Sequence, residues 1–276
     1  MGVARVKYGR LFLSELVGTA LLVAIGCSFV VVDFAPQSPI PHLLASAALR
    51  RALTGFLFGT TGGLIALSPV GHESGAHINP IVSLAFWLRR TLKFPVTIGY
   101  VAAQMAGAVL GTLPLLLWGR LAASVHLAAT TMGPLGPVAA VSGEAGATAM
   151  LTVGLFVFLG HRRLRRYTPG LFPLLYAFLV WIEAPLSGTS TNPARSFGPA
   201  LVGGIWRGFW VDVCGPLAGM TLGLLLLRLP GLRTLREDVA KLYHFHRDPS
   251  GLLSRPVKTL AGELERAWTG SRHRPD

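Results

Sequence analysis

The sequence predicts an all-α membrane protein of six spanning helices and two shorter apolar segments, laid out as two opposed halves of three spans each. Three observations predict it: a charge-poor composition, six long apolar runs, and a set of motifs that occurs once in each half. Of the 276 residues, 51% are hydrophobic and 13% charged, and mean hydropathy is +0.55. Soluble domains carry roughly a quarter charged residues, so this chain has about half the usual means of solvating a surface. The same figures exclude collagenous, disulfide-rich and disordered chains.

The first run, 11–33, is preceded by Arg5, Lys7 and Arg10. A basic start followed by apolar residues ending at Cys27 loosely resembles a lipoprotein signal. The run is too long for a signal core and contains Glu15, so it reads as a span with an inward-facing acid. Further runs follow at 52–69, 95–118, 138–160, 171–186 and 208–229. Each approaches the roughly 20 residues a helix needs to cross the hydrocarbon layer. Two stretches, 78–88 and 192–202, are too short to cross and follow Gly- and Ser-rich sequence. Cys27 and Cys214 lie inside apolar runs and read as small buried packing residues, with no disulfide framework.

The net charge of +13 would suggest a nucleic-acid partner in a soluble protein. Here the cations cluster between apolar runs, which points to the lipid bilayer as partner and to no nucleic acid. With six alternating spans, twenty of the 25 Lys and Arg fall on one side. The other side holds Arg50, Arg51, Arg120, Arg195 and Arg207. By the positive-inside rule both termini are expected in the cytoplasm, in a multi-pass protein of the cell (plasma or inner) membrane.

The halves compare well with each other. Glu15 and Glu144 each stand four residues before a threonine, Thr19 and Thr148. Each short segment opens with an Asn-Pro pair: Ser74-Gly75-Ala76-His77-Ile78-Asn79-Pro80-Ile81 in the first half, and Ser187-Gly188-Thr189-Ser190-Thr191-Asn192-Pro193-Ala194-Arg195 in the second. The third span of each half carries a glycine, Gly107 and Gly219, at nearly equal distance from its Asn. Three spans per half make the copies enter the membrane from opposite sides. The expected organisation is a channel domain over 1–230, with repeats at about 10–118 and 138–229, and a basic cytoplasmic tail over 231–276.

These strings, with Asn-Pro-Ala-Arg-Ser-Phe-Gly-Pro-Ala and the paired glutamates, resemble the aquaporins, or major intrinsic proteins, over most of residues 10–229. The resemblance implies six tilted helices, two re-entrant half-helices meeting at mid-membrane, and a homotetramer with one pore per subunit. It implies no enzyme activity, no cofactor and no metal. Pro80 and Pro193 suit the first turn of a helix, where no amide partner is missed. Asn79 and Asn192 then stand at N-cap positions. Two half-helices meeting by their N-termini oppose passage of cations and protons. Gly75 and Gly188 permit the extended strands that present carbonyls to the pore. Glu15 and Glu144 are expected to hold those loops from behind, with His77 packing on its own loop. Ile81, where the family usually has Ala, is bulkier and could displace Asn79.

In this family four positions form the narrowest point. Arg195, Thr189 and Val180 match three of them, and the fourth falls at Phe58 or Gly59 by register. A Phe58 wall restricts passage to water, whereas a Gly59 wall leaves room for a larger neutral solute. Ser196, Ala200 and the Phe209-Trp210 pair resemble the water type. The expectation is a passive water channel excluding protons and ions, the alternative being a channel for glycerol or another small neutral solute (urea, ammonia, metalloid acid). Asp33, Glu183 and Asp212 read as helix-end or interhelix contacts. In the tail, Leu232, Leu235, Val239 and Leu242 recur with helical spacing, as do Leu260, Leu264 and Trp268. These predict two amphipathic helices resting on the anionic leaflet.

Overall fold

The computed structural model describes residues 2–248 and 250–254. Its principal helices are α1 (Gly2–Phe34), α2 (Ala47–Leu67), α3 (Pro80–Leu88), α4 (Phe94–Thr112), α5 (Gly136–Gly160), α6 (Thr168–Ser187), α7 (Pro193–Gly203) and α8 (Val211–Leu226). A 3-10 stretch, Leu113–Trp118, continues α4. Among the described residues there is no β-strand, only an isolated bridge between Val239 and Ser254. By length and composition, Tyr8–Phe34, Phe94–Trp118, Gly136–Gly160 and Arg165–Ser187 are each long and apolar enough to cross a membrane, while Val211–Leu226 is a shorter apolar helix. The exterior carries large exposed apolar side chains such as Leu13, Leu64, Leu174 and Leu222. That surface is suited to lipid rather than water.

The two glycines singled out in the sequence explain how each half is packed. A Cβ at Gly107 would lie 2.3 Å from the carbonyl oxygen of Leu16, and one at Gly219 would lie 2.3 Å from that of Ala145. Leu16 and Ala145 are the residues after the two paired glutamates. So α4 lies directly on α1 and α8 directly on α5, backbone against backbone, at corresponding places. Without a hydrophobic drive between helices in lipid, such close approach supplies the packing. A third seam joins the halves: Gly55, Gly59 and Gly63 of α2 face the carbonyls of Tyr176, Phe172 and Pro169 on α6.

Two expectations are corrected here. Cys27 is buried, but Cys214 is exposed on the outer face of α8. Leu232, Leu235, Val239 and Leu242 do not form a helix: after α8 the described residues run in turns and extended chain. Leu232 and Leu235 N–H bond three residues back in turns, and further on the backbone finds distant partners. Ala240 N–H donates to Leu253 O at 2.7 Å and Leu242 N–H to Gly75 O at 3.1 Å. The helical spacing was therefore overridden by tertiary pairing. Leu260, Leu264 and Trp268 lie outside the described residues.

Candidate functional site: a path between two half-helices

α3 and α7 each begin at an Asn-Pro pair, with proline at the first helical position. Asn79 Oδ1 accepts from Ile81 N–H at 2.9 Å. Asn192 Oδ1 accepts from the N–H groups of Ala194 at 3.1 Å and Arg195 at 3.4 Å. These caps satisfy amides that a helix start otherwise leaves bare. The bulk of Ile81 leaves the Asn79 cap intact. Each Asn also reaches across the molecular centre. Asn79 Nδ2 donates to Thr191 O at 3.0 Å, and Asn192 Nδ2 donates to Ile78 O at 2.8 Å. Those carbonyls belong to the residues just before the opposite Asn, so the two N-termini are locked tip to tip. A primary amide has two hydrogens, and this crossing uses one of each.

The loops leading into the two caps share one backbone shape. Positive φ occurs at Gly75, Ala76 and Ile78 in the first, and at Gly188, Thr189 and Thr191 in the second. The strands are thus not simply extended, as the sequence suggested, but repeatedly left-handed. Non-glycine residues there cost about 1–2 kcal/mol each, and surrounding structure must hold them. The paired glutamates do so. Glu15 accepts from His77 N–H at 2.9 Å, Ile78 N–H at 2.7 Å and Ser74 Oγ–H at 2.7 Å. Glu144 accepts from Ser190 N–H at 2.5 Å, Thr191 N–H at 2.8 Å and Ser187 Oγ–H at 2.5 Å. The donors occupy matching places relative to each Asn, so one device is used twice.

His77 is buried and stacks on Phe86, ring centres 4.6 Å apart. Its Nε2 lies 3.0 Å from Ala240 O and its Nδ1 3.1 Å from Ser83 Oγ. A carbonyl only accepts, so Nε2 carries the proton and Nδ1 accepts from the serine hydroxyl. Ser83 Oγ in turn accepts from Gln104 Nε2 at 2.9 Å, and Gln104 also donates to Glu15 at 2.7 Å. The acceptor-bound hydroxyls of Ser74 and Ser187, which open the two motif strings, were given no role by the sequence reading, and Gln104 escaped it. The signal for Gln104 was available: an amide in an apolar span needs a partner. Asp33 bonds Thr54 across α1 and α2 at 2.5 Å. Asp212 accepts from the Thr130 hydroxyl at 2.5 Å, and Thr130 Oγ1 in turn accepts from Ser196 Oγ–H at 2.8 Å. Glu183 also hydrogen-bonds the Ser187 hydroxyl, whose one hydrogen lies between it and Glu144.

Two small cavities mark a path. The central one, about 40 Å³, is lined by Asn79, Asn192, His77, Phe58, Tyr176 and, from the tail, Leu242, among others. The second, also about 40 Å³, is lined by Arg195, Thr189, Val180, Phe58, Tyr176 and Thr54, with neighbours. A buried water needs roughly 10–15 Å³ by this kind of measure, so each holds a few waters at most. Phe58 borders both cavities. Gly59 borders only the central one, and its missing side chain is what lets α2 touch Phe172 O. The Arg195 guanidinium carbon lies 5.9 Å over the Phe58 ring. Arg195 is 6% exposed, and its Nη1 is buried without a hydrogen-bond partner among the described residues. Pro80, Pro193, Ile81 and Ala194 stand behind the Asn pair and are buried.

A helical bundle with two broken segments meeting tip to tip around a narrow path defines a multi-pass membrane channel. The family model for the major intrinsic proteins matches residues 3–227, and the chain belongs to that family, whose members are channels rather than enzymes. It is 39% identical over 223 residues to Aquaporin TIP4-3 of Zea mays, covering 78% of this chain and 84% of that one. It is 31% identical over 246 residues to the lens fiber major intrinsic protein of Gallus gallus, covering 86% and 88%. Among solved structures, the aquaglyceroporin from Plasmodium falciparum superposes with a TM-score of 0.65 at 19% identity, over 80% of this chain and 95% of that one. That likeness shows the fold.

Proposed function

We propose that the chain is a passive water channel that excludes protons and ions, with Asn79 and Asn192 at its centre and Arg195, Thr189, Val180 and Phe58 as its narrowest point. The observation that carries this reading is the pairing of Phe58 with Arg195 across a cavity of about 40 Å³. An aromatic wall facing a guanidinium leaves room for water and little more. Arg195 Nη1, buried and without a protein acceptor, is a donor that a passing water satisfies. At the centre, the second hydrogen of each Asn amide is available to the same water. The α3 and α7 N-termini present their positive ends there, which disfavours hydronium and metal cations.

The proposal places both termini in the cytoplasm of a cell whose plasma or inner membrane holds the protein. The ion pair between Arg89 and Glu237 and the packing of Arg165 over Phe245 gather three basic clusters of the sequence on one face, which supports that orientation. We also propose a homotetramer, consistent with the exposed apolar surfaces of the bundle. The test is osmotic light scattering of proteoliposomes with sucrose, glycerol and urea gradients. It is run on the full chain and on Leu242→Ala, since Leu242 borders the central cavity from the tail. Water flux well above protein-free vesicles, with slow glycerol and urea entry, supports the reading. Fast glycerol entry assigns the alternative permeant class.

A further inference from the structure

We propose that Val239–Leu242 is a plug, supplied by the chain's own tail, which closes the pore at the face on which α8 ends and must withdraw for water to pass. The proposal rests on the water-channel reading above. Ala240 and Lys241 are 0% exposed and Leu242 is 3% exposed, although they follow the last helix and belong to no helix themselves. The Leu242 side chain borders the cavity that Asn79, Asn192 and His77 also line. On this side of the Asn pair the path therefore ends on tail residues.

The fit is built on several independent contacts. Leu242 N–H donates to Gly75 O at 3.1 Å, and Ala240 O accepts from His77 at 3.0 Å. Lys241 Nζ donates to His72 O at 2.6 Å and Glu73 O at 3.3 Å. Those are carbonyls from the last turn of the short helix Pro69–Ser74, where a cation is favoured. The plug is braced from both sides. Before it, Glu237 takes Arg89 in a 2.6 Å ion pair and accepts from Thr91 at 2.7 Å. After it, the Asp248 carboxylate gathers the N–H groups of Leu252, Leu253 and Ser254. That turn presents Leu253 O to Ala240 N–H at 2.7 Å.

The inverted repeat shows that this position differs from its counterpart. A Cβ at Gly188 would meet Thr130, at 3.3 Å, and a Cβ at Gly75 would meet Ala240 O, at 2.6 Å. Both re-entrant loops are thus covered at the same glycine. Thr130 lies in the connection between α4 and α5 and is fixed at both ends. Val239–Leu242 lies beyond α8, and among the described residues no further helix follows it. A cover that follows the last helix of the bundle can leave without dismantling the bundle.

The test uses full-length protein in proteoliposomes: wild type, Leu242→Ala, Arg89→Glu and the charge-swapped pair Arg89→Glu with Glu237→Arg. Osmotic water permeability is read by stopped flow, and hydrogen–deuterium exchange is read at residues 240–242 in the same samples. The plug predicts low wild-type flux, a rise of about tenfold or more in Leu242→Ala and Arg89→Glu as the open population grows, and faster exchange in Arg89→Glu. The swapped pair should move both readouts back toward wild type. If exchange shows the tail released while flux equals wild type, or if Leu242→Ala leaves flux unchanged in a conducting channel, the plug is overturned and the water reading stands. If every sample stays at the level of empty vesicles despite a released tail, the water reading fails and the plug fails with it.

Discussion

Arg195 holds its guanidinium carbon 5.9 Å over the centre of the Phe58 ring, and the two side chains border the same cavity. One comes from α7 and the other from α2, helices of opposite halves. The contact fixes a long cation against a rigid wall. In the Leu242→Ala background, where the tail does not close the path, Phe58→Ala removes the wall while keeping the charge. Glycerol entry should then rise about tenfold or more, as expected when a pore limited by size gains a side chain's volume. Unchanged glycerol and urea entry would remove Phe58 from the constriction. In the same background Arg195→Val should raise both solute and proton leakage, read with a pH-sensitive dye inside the vesicles.

The paired glutamates give a stability prediction. Glu144→Ala leaves the amides of Ser190 and Thr191 without their acceptor, while the hydroxyl of Ser187 keeps Glu183. Each unmet buried donor costs about 1–3 kcal/mol. The variant should lose several kcal/mol and unfold at lower temperature in detergent. Glu144→Gln, which keeps one acceptor oxygen, should lose less. Equal melting of all three proteins would show that the loop holds its left-handed residues without this side chain.

Gly107 and Gly219 predict matched defects. Either glycine replaced by leucine drives a side chain into a carbonyl 2.3 Å from its Cβ, and overpacking costs about 1–3 kcal/mol or more where backbone cannot shift. Gly107→Leu and Gly219→Leu should both cut the yield of folded protein. Leucine at Gly146, where nothing lies within 4 Å of the added Cβ, should be tolerated. A loss confined to one of the paired glycines would break the claimed equivalence of the halves.

Lys241 makes tail docking depend on pH. Burial pushes its ammonium down from 10.5 to about 8, with Asp248 and Glu73 acting the other way and Arg247 adding to the fall; His72 and His244 also face this pocket. The undocked amine keeps the higher value, so the undocked tail binds more protons between about 8 and 10.5. Docking is therefore favoured as pH rises through that window, and water flux should fall. Carboxylates, imidazoles and guanidinium groups do not ordinarily change charge there. Lys241→Met should flatten the profile over the window. Flux that rises with pH in the wild type would contradict the docked lysine's role.

Much of this was legible because its determinants are local or repeated. Apolar runs long enough to span, proline at a helix start and an asparagine just before it each carry their meaning in a few residues. The repeat then places the glutamates and the glycines by correspondence. The tail was not legible. Leu235, Val239 and Leu242 have helical spacing, but Leu235 O accepts from Arg89, Val239 bridges to Ser254 and Leu242 N–H donates to Gly75, partners that no periodicity within the segment reveals. The choice between Phe58 and Gly59 was open for a similar reason. The clue lay in Gly55, Gly59 and Gly63, whose four-residue spacing marks a face pressed on another helix. That face uses Gly59 for packing, and Phe58 is left beside Arg195.

The most direct measurement of the central claim is the stopped-flow shrinkage rate of Leu242→Ala proteoliposomes in a sucrose gradient, set beside protein-free vesicles and beside the same vesicles in glycerol. The account predicts fast water efflux, slow glycerol entry and no dissipation of an imposed proton gradient. Water efflux no faster than through the bare bilayer, with the protein shown to be folded and inserted, would contradict it.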